Sequence, residues 1–250
     1  MIGTHSLSLP LNNTSSSSSN DSPAQITSLL PNPVGISEAN RDTIFKSIQL
    51  LPITFTIAKR IIVSHHYLHS MPGGTELAFG VFSGNTLLGA ITLGAGPFLA
   101  YQMVEGATPD DCLTLTRLWL ADELPRNSES HVIGFITRSL HRHTQLKFLI
   151  SYSDPSQGHV GTIYQATNWL YTGVSEPMPL YDLGDGKLYH SRSLAHTYGT
   201  HSLGYLASRG IYVKVIPQAG KHRYIYFIDS AWRSRLRVPV LQYPKRGQQQ

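Results

Sequence analysis

Three short stretches carry the side chains able to do chemistry. The first, SHHYLHS, sets His65, His66, Tyr67 and His69 close together. A helix running through it would put His65 and His69, four apart, on one face, the spacing that zinc proteases use. No Glu follows the first His and no third ligand is specified. Two other readings therefore stand beside a metal: helix-end histidines stabilised by the negative dipole there, and general acid/base chemistry near neutral pH. The second stretch, LTLTRLWL, holds Arg117 among Leu115, Leu118, Trp119 and Leu120. On an alternating strand Arg117 shares a face with Leu115 and Trp119. Either it snorkels from an edge strand, or it is buried against a carboxylate or an anionic substrate group.

The third stretch is SYSDPSQGHVGTIYQATNWLYTG, residues 151–173. Asp154 follows an apolar strand, at the carboxyl end where open α/β sheets hold ligands. Read as a helix from about residue 157, the segment has Gly158 and Gly161 in its first turns, each costing about 1 kcal/mol relative to Ala. That expense suits a ligand approaching free helix amides. Gly158, Gly161, Gln165 and Asn168 would form one small or polar stripe, with Tyr164 projecting beside it. The alternative is structural: Asp154 as a cap and Tyr164 as a core residue with a hydroxyl partner.

Elements to hold these residues can be read from periodicity. Residues 54–69 have helical apolar spacing with Thr54 as cap, ended by MPGG. Residues 76–94 read as a hairpin turning at Gly84-Asn85, and 113–121 as an alternating strand. Residues 128–143 form an amphipathic helix that Ser128 or Ser130 can cap, and 147–153 a short buried strand. WLYTG reads as strand and LYDLGDGKLYHSR as a hairpin. A helix follows near 195–209, then strands at 211–217 and 222–229 around a Gly220 turn. The order argues for a mixed α/β sheet.

Composition limits the partners. Residues 1–40, with LNNTSSSSSNDSPAQ, read as a disordered tail, leaving 41–250 as a single domain. No basic-then-apolar leader and no run of ~18 apolar residues is seen, and Cys112 is the lone cysteine. These features predict a soluble, cytoplasmic protein without a membrane partner. Net charge is +5, and from Tyr189 onward ten Lys/Arg face one acid, Asp229. Such a bias favours an anionic partner, with Lys221, Arg223, Arg233, Arg235 and Arg237 as candidate DNA-binding cations. The competing reading is a solubilising surface.

Together, HHYLHSMPGG, LTRLWL, the 151–173 stretch and GKHRYIYF…YPK resemble the Mom proteins of Mu-like phages over about residues 45–245. The resemblance implies a GNAT-like fold: a mixed, mostly antiparallel central sheet flanked by helices. It implies transfer of a carbamoylmethyl (glycinamide-like) group to the exocyclic amine of adenine in double-stranded DNA, protecting phage DNA from restriction in the host cytoplasm. By motif, it marks His66, Tyr67, Arg117, Asp154 and Tyr164 as catalytic and Ser139 as a further sensitive position. GNAT enzymes seat a donor pyrophosphate at a helix N-terminus, which makes Ser128, Ser130, Gly158 and Gly161 the donor-site candidates. RNSESH lacks the Arg/Gln-x-x-Gly-x-Gly/Ala coenzyme A pattern, so the implied donor is an activated, glycyl-type or aminoacyl group rather than acetyl-CoA. Iron is a further implication, with His66 and Tyr164 as its ligands. Two other functions stay open: a GNAT-type N-acyltransferase for a small molecule or protein, and a non-enzymatic DNA-binding protein.

Overall fold

A computed structural model describes residues 47–200, 202–245 and 247, so the expected tail at 1–40 lies outside the described residues. Strand β1 (Ile48–Pro52), unanticipated in the sequence, precedes helix α1 (Phe55–His65). Thr54 caps α1 by accepting the Ile57 N–H, and the helix buries Ala58, Ile61 and Ile62, a three- and four-residue repeat. Strands β2 (Thr75–Ser83) and β3 (Thr86–Gly94) form the expected hairpin, followed by β4 (Cys112–Leu120). Helix α2 (Ser128–His143) leads into β5 (Phe148–Ser153). A one-turn helix α3 (Thr162–Gln165), β6 (Leu170–Val174) and the hairpin β7 (Leu180–Asp182) and β8 (Leu188–His190) come next. Two short helices, α4 (Ser191–Tyr198) and α5 (Leu203–Ser208), replace the single helix read near 195–209.

The last strands part company. Strand β9 (Lys214–Ile216) pairs with β7 in a small sheet ordered β8-β7-β9, whereas β10 (His222–Phe227) inserts between β5 and β6. The main sheet runs β1-β2-β3-β4-β5-β10-β6, and every contact is antiparallel except β4 with β5. This is the mixed sheet that the element order predicts, and the mostly antiparallel one flanked by helices that the resemblance implies.

Alternation sorts the two faces. On one face Leu113, Leu115, Leu149, Tyr224, Tyr164 and Trp169 pack with Val132, Ile133, Ile136 and Leu140 of α2. On the other, Phe148, Ile150 and Ile225 pack with Val104 and the Trp232–Leu236 segment, while Ile61 and Ile62 of α1 cover Leu87 and Ala90. Among the described residues no helix is long and apolar enough to cross a membrane.

Candidate functional site

The β4–β5 ladder is short. It pairs Cys112 with Phe148 and ends at Leu115↔Ser151, although β4 continues to Leu120 and β5 to Ser153. Beyond Leu115 the two strands part, which opens the centre of the sheet at their carboxyl ends. A β-bulge sits at the same level: Leu93 faces Leu115 and Thr92 faces Arg117, so Thr116 is the extra residue. The bulge reverses the alternation. Arg117 therefore leaves the face of Leu115, contrary to the sequence expectation, and joins Trp119, whose ring stacks on His65 at 4.4 Å.

Arg117 is not edge-exposed, and among the described residues no carboxylate pairs with it. Its Nε donates to the Ser70 carbonyl at 3.0 Å, its Nη2 to the Ser70 hydroxyl at 3.5 Å and its Nη1 to the Thr116 carbonyl at 2.7 Å. Half-burial lowers its pKa, and the neighbouring Tyr67 opposes that shift. The loop that Arg117 holds continues from α1, which ends at His65. His66 is already extended, and His69 has a φ of +44°. His65 and His69 thus do not share a helix face. Instead His66 stacks on Tyr67 at 4.4 Å, and Tyr67 meets His159 edge-on at 5.5 Å. The His66 Nδ1 accepts the Leu68 N–H at 3.1 Å, so the neutral ring carries its proton on Nε2. Burial drives the His66 pKa down to about 4, helped by Arg117, His159 and His69. Burial also raises the Tyr67 pKa; Asp154 adds to this and Arg117 opposes it.

Asp154 follows β5 and caps a 3-10 turn, Pro155–Gln157, accepting from Ser156 N at 3.0 Å and Ser156 Oγ at 2.6 Å. Its other oxygen takes Lys221 at 3.2 Å. Burial alone would raise its pKa, but Ser156 and Lys221 outweigh burial and hold the carboxyl below its usual range. The helix expected from residue 157 is not there. Gly158 and Gly161 have φ of +68° and +69° and lie in the loop before α3. Gly158 faces open space, whereas a Cβ at Gly161 would collide with the Tyr224 ring. The proposed small stripe does not form either, because Asn168 also turns left-handed. Gln165 spans instead to Val160 O at 2.7 Å, tying the loop to α3.

Tyr164 is buried against Trp169 and Tyr224, with ring centroids at 5.1 and 5.2 Å. The buried Ser151 hydroxyl stands 2.7 Å from the Tyr164 hydroxyl and 2.9 Å from the Leu115 carbonyl, where the ladder ends. Burial pushes the Tyr164 pKa up to about 12, against the Ser151 hydrogen bond. Tyr164 is a buried residue with a hydroxyl partner, Ser151, which lies at the mouth of the opening. His66, Tyr67 and Arg117 thus approach from the α1 side, Ser151 and Tyr164 from the α2 side, with Asp154 at the strand end. Ser70, Ser151 and His159 had no sequence signal beyond residue type. The reach of Lys221 to Asp154 depends on the β5–β10 register, which no local sequence signal carries.

The Mom protein family matches residues 47–245. The chain belongs to that family. It is 28% identical to the methylcarbamoylase Mom of Escherichia phage Mu over 212 residues, covering 80% of this chain and 85% of the phage protein. Among solved structures, a spermidine/spermine N-acetyltransferase SpeG from Vibrio cholerae, in complex with manganese ions, is similar over 76% of this chain and 98% of its own. Its identity is 7% and its TM-score 0.44. A GNAT family acetyltransferase from Elizabethkingia anophelis with acetyl-CoA bound covers 72% of this chain and 98% of its own, at 10% identity and a TM-score of 0.40.

Several expectations for this Mom family member need correction. For the implied iron, the His66 Nδ1 is already taken by the Leu68 N–H, and burial raises the Tyr164 pKa to about 12 against the Ser151 hydrogen bond. Among the described residues no group of three or more His, Cys, Asp or Glu could hold a metal. Neither Ser128 nor Ser130 caps α2. Their hydroxyls donate outward to Pro125 O and Asn127 O, at 2.6 and 2.9 Å, and the N-cap is Asn127 in the left-handed region. Glu129 adds a negative charge in the first turn, which opposes a pyrophosphate there. A groove of about 430 Å³ runs instead along α2, lined by Ser130, His131, Arg138, Thr167 and Asn168. Gly134 also lines it and leaves room for the Arg138 guanidinium, which a Cβ would approach to 3.2 Å. Ser139 is half-buried on α2 and does not line that groove.

The basic run is divided. The register His222↔Ser153 and Phe227↔Phe148 puts Lys221 at the open end of the sheet and the 3-10 turn Ser230–Arg235 at the other. Six strand residues separate them, roughly 20 Å. Arg223 donates to Thr172 Oγ1 and Thr172 O at 2.9 and 3.0 Å; Arg235 lies 4.3 Å over the Trp232 ring; Arg237 pairs with Glu105 at 3.3 Å. Arg233 is exposed.

Proposed function

We propose that this chain transfers a carbamoylmethyl-type group to the exocyclic amine of adenine in duplex DNA. What carries the reading is the match over residues 47–245 to the Mom protein family, together with the relationship to phage Mu methylcarbamoylase. The parted strands support it with an opening that side chains line from both faces. In this scheme an activated acyl-type donor lies on the α2 side, its anionic portion along the groove with Arg138 and His131. The flipped adenine enters from the α1 side, beside His66, Tyr67 and Arg117.

Asp154 is the base in this reading. The His66 Nδ1 lone pair is already used by Leu68, so His66 offers its Nε2–H as a donor, whereas ionised Asp154 accepts. The adenine nitrogen bonds to the transferred group, the donor's leaving group departs, and Asp154 takes the amine proton. Because the amine lone pair is delocalised into the ring, positioning and polar stabilisation must supply most of the rate. Arg117 and Tyr164 orient and stabilise the group in transfer. Lys221 and the exposed Lys187, Arg209 and Lys214 of the 176–220 segment grip the DNA near the opening, because both ends of that segment meet there: Ser175 N donates to Lys221 O at 2.8 Å. Nucleosides from plasmid DNA of expressing cells should contain a heavier deoxyadenosine by mass spectrometry; its absence with folded protein present contradicts the reading.

A further inference from the structure

Among the described residues, two buried side-chain polar atoms have no hydrogen-bond partner: Ser153 Oγ and Trp169 Nε1. Trp169 lies in the core between the Tyr164 and Tyr226 rings. Ser153 is different. It is the last residue of β5, 7% exposed, and it comes immediately before Asp154. Alternation puts it on the face of Ser151 and Leu149, the face of Tyr164. One step earlier on that face, the Ser151 hydroxyl serves the Leu115 carbonyl, the last paired residue of β4. At the level of Ser153, β4 has already turned away, so the β4 carbonyl that would take its proton is missing. A buried hydroxyl in a native protein is normally satisfied, and one left unmatched carries a desolvation cost with no return in folding.

We propose that Ser153 is a further catalytic residue, whose hydroxyl donates to the carbonyl oxygen of the group in transfer. The inference rests on the transferase reading, since that reading supplies the carbonyl. The geometry suits it: Ser153 ends β5 where β4 has parted from it, two residues along the same face from Ser151, the hydroxyl partner of Tyr164, and immediately before Asp154. In carbamoylmethyl transfer the adenine nitrogen bonds to the methylene carbon, so a donor fixed in a buried strand end acts by holding the amide carbonyl and aiming that carbon at the amine. The residue is invisible to charge and motif arguments. Its signal is a polar side chain at a site where the protein supplies no partner.

The test measures three proteins together: wild type, Ser153→Ala and Ser153→Thr, each expressed at matched level with a plasmid. Initial accumulation of modified deoxyadenosine should fall about 100-fold in Ser153→Ala, and Ser153→Thr, which keeps a hydroxyl, should recover part of it. Duplex affinity should stay within about twofold, because Ser153 touches no phosphate. Tm of purified Ser153→Ala should be unchanged or higher by about 2–4 °C, because an unmatched hydroxyl has been removed. Accumulation within about threefold of wild type in Ser153→Ala overturns the proposal and leaves the transferase reading standing. A Tm loss that tracks the activity loss also overturns it, by making Ser153 structural. No product from folded wild-type protein removes the transferase reading and the proposed role together.

Discussion

At the residue scale, two titratable groups are held in opposite ways by their environment. His66 is 8% exposed and its pKa is lowered to about 4, while Asp154 is held ionised by Ser156 and Lys221. The His66 shift has a consequence for stability. Between pH 6.5 and 4 the unfolded chain binds a proton at this position and the folded chain does not, so stability rises with pH across that window. Acidifying through it removes stability; Asp154, whose folded pKa is depressed, adds its own loss at lower pH in the same direction. Urea unfolding at pH 4.5, 5.5 and 6.5 should therefore show a steeper decline for wild type than for His66→Asn. Parallel declines would mean that His66 is not desolvated as described. The types His66, Tyr67, Arg117, Asp154 and Tyr164 were legible in the sequence because each is chemically conspicuous. Their partners were not: Ser70, Ser151 and the Leu68 amide are ordinary groups whose relevance depends on strand register and one bulge.

At the element scale, the loop from Asp154 to α3 owes its two glycines to backbone conformation and packing. Gly158 and Gly161 are costly for a helix, and the structure has no helix there. Both are glycine because the backbone is left-handed, and Gly161 also because Tyr224 packs against it, its hydroxyl donating to Val160 O at 2.6 Å. Single-sequence periodicity cannot see such a contact, since β10 lies some sixty residues away. The two glycines should respond differently. Gly158→Ala, strained but unobstructed, should cost about 1 kcal/mol, and Gly161→Ala, strained and in collision, about 3 kcal/mol. Equal losses in chemical denaturation would contradict the packing role of Gly161. Other elements were readable because their signals are local: Thr54 caps α1, Gly84-Asn85 turns the β2–β3 hairpin, and the apolar face of 128–143 is α2. Strand β1 has no such signal, since IQLLP is too short for sustained alternation and ends in Pro52, and pairing with β2 supplies its hydrogen bonds.

At the scale of the whole molecule, topology decides how the basic surface can be used. The C-terminal excess of Lys and Arg was visible in the sequence, but the direction of β10 was not, and that strand separates Lys221 from Arg233, Arg235 and Arg237. The 176–220 segment, with its small sheet, begins and ends at the open end of the main sheet, through Ser175 and Lys221. Charge reversal there, Arg209→Glu with Lys214→Glu, should weaken duplex binding at 150 mM salt by about tenfold or more. Neutralising Arg233, Arg235 and Arg237 to Gln should change it by less than about threefold. The opposite ranking would move the DNA to the other end of the sheet. The reaction itself has a more direct readout. Plasmid DNA from cells expressing wild type or Asp154→Ala can be digested to nucleosides and resolved by mass spectrometry. Wild type should yield deoxyadenosine heavier by one carbamoylmethyl group, and Asp154→Ala, folded and soluble, should yield only the unmodified nucleoside. Unmodified deoxyadenosine throughout the wild-type sample, or equal modification in both, would contradict adenine transfer at this opening.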